Sequence, residues 1–159
     1  VNGLFKLQRK SGKLNRNDYN KDIDEGNTDM IRGIGTDIVE IDRIRLILLN
    51  ESADRFLMRI LTSAERVYAD QRGGRLYEFI AGRFAAKEAV SKAMGCGIGQ
   101  RLGFQDIEIS PDEAGKPLCK ISKRSRNLAK CGDHTIFHLS ITHSSKMASA
   151  FVVWEELEV

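Results

Sequence analysis

Residues 81–95 read AGRFAAKEAVSKAMG, and the fold turns on how this stretch is read. It continues the pattern of RLYEFI before it and runs to Gly95, a natural residue just past a helix end, so one long helix is predicted. A surface helix ordinarily buries a broad stripe of Leu and Ile opposite its charges. This one is built of Ala, Gly and Ser, with Arg83, Lys87, Glu88 and Lys92 among them. An interior Gly costs about 1 kcal/mol relative to Ala, so Gly82 needs a reason. Small side chains let a second backbone or a ligand come close. Something is expected to lie against this helix.

On its N-terminal side, MIRGIGTDIVEI (30–41) carries β-branched residues in rough alternation and reads as a strand, with Gly33 and Gly35 permitting close backbone approach. DRIRLILLNESADRFLMRILTSAER (42–66) reads as helix in two pieces broken near Asn50, and Ser63 is expected to cap a further helix. On the C-terminal side, GCGIGQRLG (95–103) is a glycine-rich loop. FQDIEIS, the turn PDEAGKP and PLCKIS predict a hairpin over 104–122. KRSRNLAK (123–130) is a short basic helix, and HTIFHLSITH and MASAFVVWEE are two strands joined at Ser144 and Ser145. A strand, then helices, then mostly hairpins predicts an α+β fold, a small antiparallel sheet packed with a long helix and shorter ones.

The first 29 residues are unlike the rest. They are polar, rich in Asn, Lys and Asp, and lack any sustained period, so a disordered leader is expected, an addition or a misread start, or else a natural flexible tail. The patterned chain, 30–159, is expected to form a single domain. The whole is 159 residues, 42% hydrophobic and 30% charged, the composition of an ordinary globular protein. No apolar run approaches the roughly 18 residues of a membrane span. The net charge of +3 is too small to argue for nucleic acid, and the few Phe and Tyr residues fall at core-phase positions rather than forming a stacking platform. Cys96, Cys119 and Cys131, odd in number and without a CxxC pair, fit a reducing cytoplasm better than a disulfide framework or a zinc site.

Several residues stand out chemically. Asp37 sits mid-strand among Thr36, Ile38 and Val39, where a carboxylate is costly unless it is exposed, paired, hydrogen-bonded or bound to metal. Glu88 and Lys92 have the favourable spacing for a helical ion pair worth a few tenths of a kcal/mol; the small residues around them suggest a contact surface instead. In HLSITH (138–143), period 2 puts His138, Ser140 and Thr142 on one face and Leu139 and Ile141 on the other. A hydrolase triad is excluded as the better reading, since no nucleophile elbow is present. Arg43, Arg45, Arg55 and Arg59, interleaved with Leu and Phe56, read either as a solvated face or as a surface for an acidic protein partner or nucleic acid.

Taken in order, GIGTDIVEIDRI (33–44), GRFAAKEAVSKAMGCGIG (82–99), FQDIEI with GKP (104–117) and HLSITHSSKMASAFVV (138–153) resemble the bacterial holo-acyl-carrier-protein synthases, the short 4′-phosphopantetheinyl transferases. The resemblance implies the transferase fold and a defined reaction. In it, 4′-phosphopantetheine passes from coenzyme A to a serine of apo-acyl carrier protein, releasing adenosine 3′,5′-bisphosphate, in support of fatty acid biosynthesis. It implies that Asp37 and Glu88 hold Mg²⁺, with Mn²⁺ as an alternative, and that Lys92 lies near the transferred phosphate. Arg83, Lys87, His138 and His143 would meet coenzyme A, with the loop at Gly97 and the turn at Lys116 and Pro117 shaping the nucleotide pocket. Arg43, Arg55, Phe56 and Arg59, with Phe84 close by, would dock the acidic carrier. Glu88, His138 and a water at the metal all remain open as the general base. The resemblance also implies a homotrimer with sites between subunits. The sequence departs from the pattern in its leader and in SSK after His143.

Overall fold

A computed structural model describes residues 30–157; the expected leader lies outside them. The chain runs β1 (Met30–Glu40), α1 (Ile41–Leu48), α2 (Ala53–Ile60), α3 (Ser63–Asp70), α4 (Leu76–Ala93), β2 (Ile107–Pro111), β3 (Pro117–Ile121), α5 (Lys123–Leu128), β4 (Thr135–His143) and β5 (Met147–Glu156). β1, β5 and β4 form an antiparallel sheet in that order, and β2 and β3 form the hairpin. The α+β class and the element order are those the sequence predicts.

The small-residue helix α4 packs against this sheet, with α1 and α3 also in contact with it. Ala81, Ala85, Ala86, Ala89 and Ala93 are all buried. A Cβ placed on Gly33 would overlap the carbonyl oxygen of Ala93, and one on Gly35 the carbonyl oxygen of Ala89. At the other end of α4, a Cβ on Gly82 would come within 3.1 Å of Ile141 on β4. What lies against the helix is therefore the protein's own sheet, approached at a spacing that larger residues forbid. Around that contact, Ile80, Val90, Leu102, Ile107, Ile109 and Val152 are wholly buried, each contributing about 1.5–3 kcal/mol.

Local signals explain most boundaries. The break between α1 and α2 falls at residues 49–52, and α4 closes at Met94 before Gly95, whose φ of +63° ends the helix. One boundary differs from expectation. Thr62, not Ser63, caps α3: its Oγ1 accepts the Glu65 N–H at 3.3 Å while the Glu65 carboxylate accepts the Thr62 N–H at 2.8 Å. That reciprocal box needs an acid three residues on, and only Thr62 has one at that spacing.

The sheet is unusual in its second face. The inner side presents Val39, Leu139, Ala150 and Val152 to α4, all buried. The outer side presents Ile34 and Ile38 from β1 and Phe151 from β5, all exposed.

Candidate active site

Two groups of polar side chains stand at the two ends of α4. At its C-terminal end, against β1, lie the carboxylates. Asp37 is only 16% exposed, and Lys92 Nζ bonds both its Oδ1 at 2.8 Å and the Thr36 carbonyl at 2.9 Å. Lys92 thus pairs across to the strand instead of with Glu88 one turn earlier. Glu88 is half-buried, and its carboxyl is raised above its ordinary value, first by burial and then by the negative charge of Asp37, with Lys92 pulling the other way. The two acids are close enough to repel each other. That mid-strand carboxylate costs less than an isolated one because a cation is laid against it.

The donor set fits a hard divalent ion. Two carboxylates on two rigid elements, already in mutual repulsion, would be relieved by a cation, and Mg²⁺ commonly takes one or two carboxylates with waters and substrate phosphates. Among the described residues, no cluster of three or more His, Cys, Asp or Glu residues forms a fuller cage.

At the N-terminal end, against β4, is a cleft of about 260 Å³. Arg72, Arg75 and Arg83 line it with His143, and Gly115, Pro117 and Ile141 form part of its walls. Arg83 is only 8% exposed and its guanidinium lies 4.5 Å from the Phe79 ring centre; Arg72 lies 4.9 Å from the same ring. Burial, and then the nearby charge of Arg72, push Arg83 below its ordinary value, while Glu65 and Tyr68 oppose the shift. The Nε of Arg83 is buried without a protein partner. Three guanidinium groups with an unmatched donor, against the single carboxylate of Glu78 in the same lining, make a place for a phosphate.

The expected site residues are therefore divided. Asp37, Glu88 and Lys92 come together at β1; Arg83, His143 and Pro117 come together at the cleft. Lys116 is in the adjoining turn, its N–H bonded to Asp112 at 2.8 Å. Gly97 adopts φ +63° in the loop after α4, with open space beside it. One expectation needs correcting. Lys87 is wholly buried, and its ammonium bonds Glu65 Oε2 (2.6 Å) and the carbonyls of Ile60 (2.6 Å) and Phe104 (2.9 Å), which leaves no proton for coenzyme A. One residue of helical phase turns it into the core while Glu88 faces β1. His138 points to the outer sheet face, paired with Glu155 at 2.6 Å, and the strand alternation puts it opposite Ile141 and His143.

Arg72, Arg75 and Phe79 were not singled out from the sequence. The signal was the pair of arginines bracketing Gly73–Gly74, about two and three turns ahead of Arg83. Arg43, Arg55 and Arg59 are exposed on α1 and α2, as expected. Phe56 and Phe84 are half-buried and stacked at 6.4 Å, with Phe104 beyond at 5.3 Å from Phe84. Exposed Leu46, Leu49 and Met58 lie among these arginines.

A family model of the 4′-phosphopantetheinyl transferase superfamily matches residues 33–148, which spans the carboxylates, Lys92 and the cleft. The chain belongs to this superfamily. Among transferases of the family, a holo-[acyl-carrier-protein] synthase of Bacillus cereus is 49% identical over 129 residues, covering 80% of this chain and 98% of the relative. A crystal structure of the holo-(acyl-carrier-protein) synthase of Bacillus anthracis in complex with CoA (3′,5′-ADP) superposes with a TM-score of 0.67 at 48% identity, over 80% of this chain and 98% of that one. The Helicobacter pylori synthase in complex with coenzyme A gives 0.67 at 37% identity, over 76% and 98%. This transferase chain thus shares its fold with enzymes solved with coenzyme A bound. Among its described residues, no helix is long and apolar enough to cross a membrane.

Proposed function

We propose that this transferase is a holo-[acyl-carrier-protein] synthase, moving 4′-phosphopantetheine from coenzyme A to a serine of apo-acyl carrier protein in a Mg²⁺-dependent reaction that serves fatty acid synthesis in the cytoplasm. The observation that carries the reading is the Asp37–Glu88 pair, held together across β1 and α4 with Lys92 against it. The serine oxygen attacks the phosphorus next to pantetheine, and a new phosphodiester forms. The pyrophosphate bond breaks, the serine proton is lost, and adenosine 3′,5′-bisphosphate leaves.

Asp37 and Glu88 would hold Mg²⁺, which supplies neutralisation of the pyrophosphate charge. Lys92, half exposed while bonded to Asp37, can place its ammonium against the same phosphates. Arg72, Arg75, Arg83 and His143 would take the phosphorylated nucleotide in the cleft, with Gly115, Lys116 and Pro117 in the turn beside it. Glu88, His138 and a water all stand as acceptors of the serine proton. The arginines of α1 and α2 would orient the acidic carrier.

The two groups belong to one site only if a second subunit supplies the other half. Within one chain they lie at opposite edges of the sheet, one by β1 and one by β4, and the outer sheet face between them is apolar and exposed at Ile34, Ile38 and Phe151. An apolar sheet face of this kind favours self-association. With the homotrimer that the resemblance to the short transferases implies, the reading is three subunits with sites between them.

The test is intact mass spectrometry of apo-acyl carrier protein incubated with coenzyme A, Mg²⁺ and the transferase. A gain of one phosphopantetheine, abolished by EDTA, Asp37→Ala or Glu88→Ala, is expected. No gain from folded protein with several carriers would overturn the reading.

A further inference from the structure

The last turn of α2 is held from outside the helix. A helix end leaves four carbonyls without intrahelical partners, and here side chains from other elements collect them. Gln105 Nε2 reaches the carbonyls of Met58 (2.7 Å), Arg59 (3.3 Å) and Leu61 (2.8 Å). Lys87 Nζ donates to the Ile60 carbonyl at 2.6 Å, and Arg66 to that of Leu61 at 2.9 Å. Lys87 is the residue before Glu88, and Gln105 follows Phe104, whose carbonyl also accepts from Lys87 at 2.9 Å.

The helix so held has little of its own to fix it. α2 is eight residues long, its N-cap Ser52 makes no side-chain capping bond, and Ile60 is its buried residue. Helices this short are marginal without tertiary support. Its position is set by Ile60 in the core with Phe56 and Leu57 packed against it, by contact with α1, by the stacking of Phe56 on Phe84, and by the side chains that grip its C-terminal turn. Those side chains are Lys87, next to Glu88 on α4, Gln105 in the turn before β2, and Arg66 on α3.

We infer that Lys87 and Gln105 are positioning residues, which set α2, with Arg55 and Arg59, at a fixed place relative to Glu88 so that a docked carrier presents its serine at the carboxylate pair. This rests on the carrier-transfer reading above. Lys87 acts wholly from the core, at 0% exposure, and touches α2 at the Ile60 carbonyl, α3 at Glu65 and the turn before β2 at the Phe104 carbonyl.

The experiment pairs steady-state kinetics with hydrogen exchange on the full-length protein. Gln105→Met removes the N–H donors at nearly constant size. Amide exchange over residues 53–61 should rise at least fivefold in the free enzyme, the KM for the carrier should rise about fivefold, and the KM for coenzyme A should stay within twofold. Unchanged exchange in α2 would overturn the clamp. Faster exchange with an unchanged carrier KM would overturn its role in positioning. Lys87→Met/Glu65→Gln, which avoids a lone buried charge, should give the same split if it folds; equal changes in both KM values would remove Lys87 from the assignment. If the wild-type protein loads no carrier, the transfer reading fails and takes this inference with it, while the exchange data still report whether the clamp exists.

Discussion

Gly35 of β1 faces the Ala89 carbonyl of α4 so closely that a Cβ on Gly35 would overlap that oxygen and lie 2.6 Å from the Ala93 nitrogen. Asp37, on the same strand, and Glu88, on the same helix, can repel each other only because these backbones meet at this spacing.

Gly35→Ala should therefore be costly. The obstacle is helix backbone, which cannot swing aside as a side chain can, so the loss should reach or exceed the roughly 3 kcal/mol upper range of ordinary overpacking. Gly74→Ala is the control, since its Cβ meets nothing within 4 Å. Urea unfolding would read both. A Gly35→Ala midpoint equal to that of the control would show that helix and strand separate freely.

The arginine cleft carries the second prediction. If Arg75 bonds a phosphate of coenzyme A, Arg75→Ala should remove a charge-assisted hydrogen bond worth about 1.5–3 kcal/mol. The KM for coenzyme A should rise by one to two orders of magnitude, and the carrier KM should barely move. Isothermal titration with coenzyme A would check it directly. Unchanged affinity would take the nucleotide out of this cleft.

How far the sequence speaks follows from which residues act through pattern and which through packing. Asp37, Glu88 and Lys92 were legible because they are chemically conspicuous in a strand and a helix with clear periods. The small residues of α4 and the glycines of β1 announced a close approach from either side. The charge of Lys87 suggests surface, and only the fold reveals Glu65, Ile60 and Phe104 around it. Arg72 and Arg75 give no periodic signal in the sequence because they lie at a short irregular turn, where periodicity assigns no face. His138 was read on the correct strand face, but which face meets the cleft depends on where α4 packs.

Asp106 fixes the turn from which Gln105 reaches α2. Burial would raise its carboxyl, but bonds from Ser122 Oγ at 2.6 Å and the Gly103 N–H at 2.8 Å, with help from Ser125 and Arg124, outweigh burial and hold it below its ordinary value. A depressed folded-state pKa gives stability that is present above the unfolded value, near 4, and is lost as pH falls through the folded value. Asp106→Asn should thus cost about 1–2 kcal/mol near neutrality, with the deficit relative to wild type shrinking below about pH 4. Denaturant melts at pH 7 and pH 3 would test the sign. A deficit that grows on acidification would contradict it.

The last prediction concerns the division of the site between subunits. Asp37→Ala disables only the carboxylate half, and Arg83→Ala only the cleft half. In a trimer whose sites join the β1 edge of one subunit to the β4 edge of the next, each variant alone has every site damaged. A mixed trimer is different. Wherever an Arg83→Ala subunit contributes its intact carboxylates to an Asp37→Ala subunit's intact cleft, one site is whole. Refolding the two inactive proteins together should therefore restore activity well above the sum of the separate preparations, and sedimentation should show trimers in all three samples. If each subunit builds its own site, every site in the mixture stays broken and no activity returns.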